Sequence, residues 1–169
     1  YKAQSDGDDI LFMDGPGVSN RLYHEIEYYE DSNGELVAWV NIPSLSASED
    51  TVLYLYYGNP RCGSQQFPDE VWDSDYIHVW HLGDNLGDSA GSDDGNNHGT
   101  SVVSGKAGKA RNFEENDYIS LDDMSKPADG SLSKATFEAW IKPDEIIQIP
   151  IICKLDTSIE PDDKAYNFN

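Results

Sequence analysis

Between Arg21 and Ile42 the chain reads RLYHEIEYYEDSNGELVAWVNI, and no other stretch constrains the fold as strongly. Apolar or aromatic residues alternate with polar ones on both sides of Asp31-Ser32-Asn33-Gly34, a strong hairpin turn signal. The same alternation, cut by Gly, Pro, Asn and Asp, predicts further strands at 9–13, 51–57, 76–82, 109–113, 118–121, 135–142, 146–154 and 165–168. No helical period is sustained anywhere. Many short strands with regular turn signals predict an all-β fold of antiparallel sandwich or jelly-roll units.

Composition narrows the partners. Hydrophobic residues make up 38% of the 169 and aromatic residues 11%, too aromatic for a disordered acidic tail. Thirty-two Asp and Glu face 11 Lys and Arg, for a formal net charge of -21. Such a surface repels nucleic acid and anionic membrane, whose binding needs cationic side chains. It suits a saline setting, a divalent-cation-rich exterior or simple solubility, and composition does not choose among these. No apolar run approaches the ~18 residues of a membrane span, and no signal peptide is visible. The chain begins at Tyr1, which suggests a processed or excised piece. Cys62 and Cys153 lack zinc-site spacing; they could form one long-range disulfide, as in an exported protein, or remain two thiols.

Gly58 to Glu70, GNPRCGSQQFPDE, gathers Gly, Pro and polar residues without alternation and marks a boundary. The expected organisation is a β unit over 1–60, a linker over 61–71 and a second β unit over 72–169. In the first, DGDDILF, YHEIEYY, GELVAWVNIPSLSAS and TVLYLYYGNP resemble the family DUF2341, found in large exported surface proteins of archaea and bacteria. In the second, VWDSDYIHVWHLGD, DSAGSDDGNNHGT, GKAGKARNFEENDYISL, ATFEAWIKP, IICKLD and KAYNFN resemble the start of a concanavalin A-like, laminin G-type (LamG) sandwich. The first resemblance implies strands before the DGDD word, and the second implies strands beyond Asn169. The chain is therefore expected to be a fragment of a larger surface protein, its missing strands supplied from elsewhere in that protein or by neighbouring subunits.

The tract from Asp84 to His98 holds four Asp, three Asn and three Gly. An EF-hand needs Glu at its twelfth position; counting from Asp93 gives Ser104, and from Asp88 gives Gly99. A phosphate loop fails for want of the Lys and the helix. Asp, Asn and Gly are turn formers, so a long polar turn is the simplest reading. The LamG resemblance adds Ca2+ as a cofactor, with Asp88, Asp93, Asp94 and Asn96 as ligands. His78 and His81, three apart on an expected strand, point to opposite faces and cannot share an ion; a hydrogen-bonded core or edge histidine is expected.

No catalytic constellation emerges. Glu115 and Asp117 alternate, but Ser120 stands where the glucanase ExDxxE word needs Glu, and Glu138 is alone on its strand. Glycan binding needs less, an aromatic platform with a few polar groups. Trp140 and Glu138 share one expected strand face opposite Phe137, Ala139 and Ile141, and Trp80 offers a similar platform; packing inside a two-sided sandwich is the competing role for both tryptophans. Trp39 and Trp72 are expected to pack at strand faces or at the junction of the two units. The expected function is a non-enzymatic, extracellular or cell-surface segment acting in adhesion, glycan binding or assembly. A filament or sheath subunit completed by other chains, or an accessory domain of a larger glycoside hydrolase, are the alternatives.

Overall fold

The computed structural model describes residues 2–17, 20–121, 134, 136–144, 150–153 and 167–168, in two compact units, Tyr1–Lys134 and Ala135–Asn169. All strand pairings are antiparallel, and the described residues hold no α-helix, only a 3-10 turn at Pro68–Glu70. The fold is all-β, as the alternation requires. No helix among the described residues is long and apolar enough to cross a membrane.

In the first unit, β1 (Leu11–Met13) lies between β2 (Arg21–Leu22) and β5 (Tyr54–Tyr56) in a three-stranded sheet. Ile10, Met13 and Leu22 are the buried apolar residues among those described, and His24 is wholly buried. Phe12 meets the His24 ring edge-on at 5.1 Å. Buried Asp9 ties this sheet together: its carboxylate accepts from the backbone N–H of Gln4 at 2.7 Å, of Asn59 at 2.8 Å, and of Gly58. Burial alone would raise its pKa, but these backbone donors favour the charged form and hold it below the usual carboxylate range.

β3 (His24–Glu30) and β4 (Glu35–Val40) form the expected hairpin. Gly34, at φ 77°, supplies the left-handed residue that closes it, with Gly34 N–H donating to Glu30 O at 2.8 Å. The register shifts between Ile26 and Tyr28, which leaves Glu27 as the extra residue of a β-bulge. A bulge re-aims side chains, and this one lies within the candidate site.

Residues 61–71, expected as a linker, run along β3. Phe67 N–H donates to His24 O at 2.9 Å, Ile26 N–H to the Gln66 side chain at 2.7 Å, and the Arg21 guanidinium sits over the Phe67 ring at 4.3 Å. Arg21 also donates to the Gln65 carbonyl. Farther on, β6 (Gly95–His98) pairs with β9 (Tyr118–Leu121), enclosing in sequence the hairpin of β7 (Ser101–Ser104) and β8 (Lys109–Asn112).

Three sequence expectations are corrected. Residues 76–82 form no strand, only an isolated bridge between Trp80 and Asp88. The Asp88 side chain takes the Val79 N–H at 2.9 Å, and Leu82 adopts φ 56°, a left-handed conformation that ends an extended run. The tract 84–98 is not all turn, because its last four residues are β6. In the second unit, residues 136–142 are irregular, so the two-faced strand expected there is absent; Phe137, Trp140 and Ile141 are all exposed. That unit's described strands are β10 (Ile152–Cys153) and β11 (Asn167–Phe168).

Candidate functional site

Three segments converge on His81. Glu25 and Glu27 come from β3, Trp39 from β4 where it pairs with Glu25, and Trp72, Tyr76 and His81 from the irregular segment that follows the 3-10 turn. One imidazole nitrogen, Nδ1, lies 3.4 Å from Glu27 Oε2. The other, Nε2, lies 3.2 Å from Glu25 Oε2, a close approach off the line of a good hydrogen bond. The His81 ring stacks on Trp39 at 5.7 Å and 22°, and Trp72 tilts against both. Tyr76 meets Trp72 edge-on at 5.1 Å.

Hydrogen bonds fix the carboxylates. Trp39 Nε1 donates to Glu27 Oε2 at 2.7 Å, Trp72 Nε1 to Glu25 Oε2 at 2.9 Å, and Ser89 Oγ to Glu25 Oε1. Burial would raise the pKa of Glu25; its contacts with His81, Ser89 and Trp72 outweigh that and hold it below the ordinary value. Glu25 is thus a buried anion with its acceptor positions filled. The Ser89 hydroxyl is spent on Glu25, not on an imidazole, so Ser89, His81 and Glu25 lack the nucleophile-to-base bond of covalent catalysis. A cleft of about 600 Å³ opens alongside, lined by Glu25, Glu27, His81, Asp84, Ser89 and Asp94 among others. Outside it, Trp39 is 42% and Tyr76 52% exposed. The sum is an aromatic surface, part open to solvent, backed by fixed carboxylates.

His78 heads a second cluster. Its Nδ1 is 2.7 Å from Asp88 Oδ2, its Nε2 is 3.6 Å from Asp93 Oδ2, and its ring stacks on Trp80 at 4.8 Å and 15°. The Asp88 side chain is fully buried and also accepts the backbone N–H of Val79, Ala90, Gly91 and Asp93. Burial would raise its pKa, and His78 with these N–H groups holds it low. Asp88 therefore organises the loop as an acceptor.

The sequence-derived site residues are dispersed. Asp88 faces inward, Asp94 Oδ1 accepts from Asp88 N–H at 3.0 Å, and Asn96 lies in β6 opposite Ser120, so the four calcium candidates form no single oxygen cage. No group of three or more His, Cys, Asp or Glu side chains among the described residues is placed to hold a metal ion. Trp80 uses its indole N–H on Asp93 O at 2.8 Å. In the second unit Trp140 is 86% exposed and Glu138 is exposed as well. Cys62 is a free thiol lying 3.4 Å from Asn59 O; the side chain of Cys153 lies outside the described residues. The sequence reading missed the grouping of Glu25, Glu27, Trp39, Trp72 and His81. Its one legible signal was the alternation of Glu25 and Glu27 in HEIEYY, across the hairpin from Trp39.

Residues 6–80 match the family model described as Domain of unknown function (DUF2341). The match thus runs through the segment expected as linker and takes in Trp72 and Tyr76. No curated protein and no solved structure matches the chain.

Proposed function

We propose that this chain is a non-enzymatic, extracellular binding segment whose first unit takes a glycan on the surface formed by Trp39, Trp72 and Tyr76. One observation carries the reading: two partly exposed aromatic rings flank Trp72 beside carboxylates already fixed by hydrogen bonds. A sugar ring stacks on such a face through its C–H groups. Preorganisation lowers the cost of binding, because Trp39 and Trp72 are held by their hydrogen bonds to Glu27 and Glu25 and need not be ordered by the ligand. The surface-protein setting and a LamG-like character for the region after residue 72 rest on resemblance, and fold likeness alone names no ligand.

A second reading, extracellular assembly, is favoured by β5. Among the described residues it pairs with β1 on one side only, and Val52, Leu53, Leu55 and Tyr57 around it are exposed. An open strand edge with apolar flanks suits strand addition from another chain.

The test is a glycan array followed by titration of any hit. The expected result is binding that falls at least about tenfold in Trp39→Ala, the equivalent of ~1.4 kcal/mol, and survives in Trp140→Ala. Loss confined to Trp140→Ala would move the site to the second unit. No binding, together with concentration-dependent association, would favour assembly.

A further inference from the structure

We propose that the 78–93 loop is a binding site for a divalent transition-metal ion of the zinc class, held between His78 Nε2 and Asp93 Oδ2. The His78 side chain is only 7% exposed, and its Nε2 is buried with no hydrogen-bond partner. A buried ring nitrogen without a hydrogen-bond partner is costly, and this one is available as a ligand atom.

Its tautomer follows from the other nitrogen. Asp88 is held as an anion by backbone N–H groups, so the hydrogen on this side of the ring belongs on Nδ1, 2.7 Å from Asp88 Oδ2. In the neutral ring this turns the Nε2 lone pair toward the Asp93 carboxylate. The separation of 3.6 Å is too long for a hydrogen bond between them. It is close to the spacing of two ligands on one ion, since metal bonds of about 2.0–2.1 Å at a tetrahedral centre place their atoms roughly 3.4 Å apart. The Asp88–His78 pair reproduces the carboxylate–histidine arrangement that orients a metal-bound imidazole and raises its basicity.

The surroundings hold this geometry in place. Trp80 stacks on the His78 ring while its indole N–H is tied to Asp93 O, so ring, loop and carboxylate are mutually braced. The Asp93 side chain is 17% exposed, which gives water and ions an entry. Two protein ligands leave the remaining positions to water, an open site from which the ion can exchange. An imidazole nitrogen beside one carboxylate selects zinc-like ions over Ca2+, which prefers a shell of oxygens. The net charge of -21 raises cation concentration around the whole molecule. This inference does not depend on the glycan reading, whose residues are different.

The test is calorimetric titration of the chain with Zn2+, alongside thermal unfolding and the visible spectrum with Co2+. Expected are one ion per chain above any weak background, a rise in Tm, and Co2+ bands of nitrogen and oxygen ligation. Asp93→Asn should weaken binding at least about tenfold, as should Asp88→Asn through the orienting bond. Asp93→Asn should leave the metal-free Tm unchanged, because Asp93 braces the loop through its backbone. His81→Gln should bind as the unaltered chain does. Equal binding by Asp93→Asn would assign the ion to the general acidic surface and overturn the proposal, as would loss of binding in His81→Gln, Ca2+ competing on equal terms, or no binding at all.

Discussion

Replacing Asp88 by Ala should unlock the segment from His78 to Asp93. The carboxylate, fully buried, accepts four backbone N–H groups at 2.9 to 3.3 Å and the His78 ring at 2.7 Å. Hydrogen bonds to a charged group contribute about 1.5–3 kcal/mol each, but bonds sharing one acceptor do not add. Water entering the truncated site will meet some of the stranded donors. The expected loss is about 3–5 kcal/mol, the range for breaking a buried charged pair, and a large share of the ~5–15 kcal/mol that holds a typical domain together. Asp88→Asn supplies the internal comparison. Its amide oxygen can still serve Val79, Ala90 and Gly91, while its NH2 faces the donors on the Oδ2 side, so about half the loss is expected. The assay is denaturant unfolding with hydrogen exchange at Val79, Ala90, Gly91 and Asp93, which reports on the loop even if it opens before the rest. An Asp88→Ala variant within about 1 kcal/mol of the parent, the size of an ordinary substitution, with those amides still protected, would refute the reasoning.

Two further outcomes follow from the same physics. His24 is wholly buried with neither ring nitrogen well hydrogen-bonded; burial, aided by the Arg21 charge, pulls its pKa below the ordinary 6.5 against backbone groups of Leu22 and Ile10 that raise it. Its neutral form is the one that fits the fold, so its contribution is whole above the unfolded imidazole's pKa and is lost as pH falls toward the folded value. Asp9 and Glu25, whose pKa values are also lowered, begin to lose their contributions only as pH falls through the ordinary carboxylate range toward their folded values, below the histidine window. Melting curves from pH 8 to pH 4 should show a decline that starts in the histidine window, and His24→Phe should remove that early part alone; an unchanged profile shape in the variant would contradict it. Gly99 has φ 98°, and a Cβ there would run into the Asp117 carboxylate. Gly99→Ala should therefore cost about 1–3 kcal/mol in denaturant midpoint from backbone strain alone, and a neutral result would show that the β6–β9 end relaxes freely.

The sequence by itself determined the fold class and much of its local detail. Period-two alternation leaves a chain no helical alternative, and Asn33-Gly34 fixes where the first hairpin turns because glycine accepts the left-handed conformation cheaply. The runs at 109–113 and 118–121 became β8 and β9 for the same reason. Tertiary structure decided what alternation cannot encode. YIHVWHL has a strand's composition, yet one buried carboxylate ten residues after His78 captures its backbone and side chain, and a long-range acceptor outweighs local propensity. GNPRCGSQQFPDE looks like a linker, yet β3 offers its free edge and takes it in. The candidate site depends on both events. Glu25 and Glu27 share a face of β3 by alternation, but they reach His81 only because the segment after the 3-10 turn folds back over that strand, and such meetings of distant residues leave no periodic trace in a sequence.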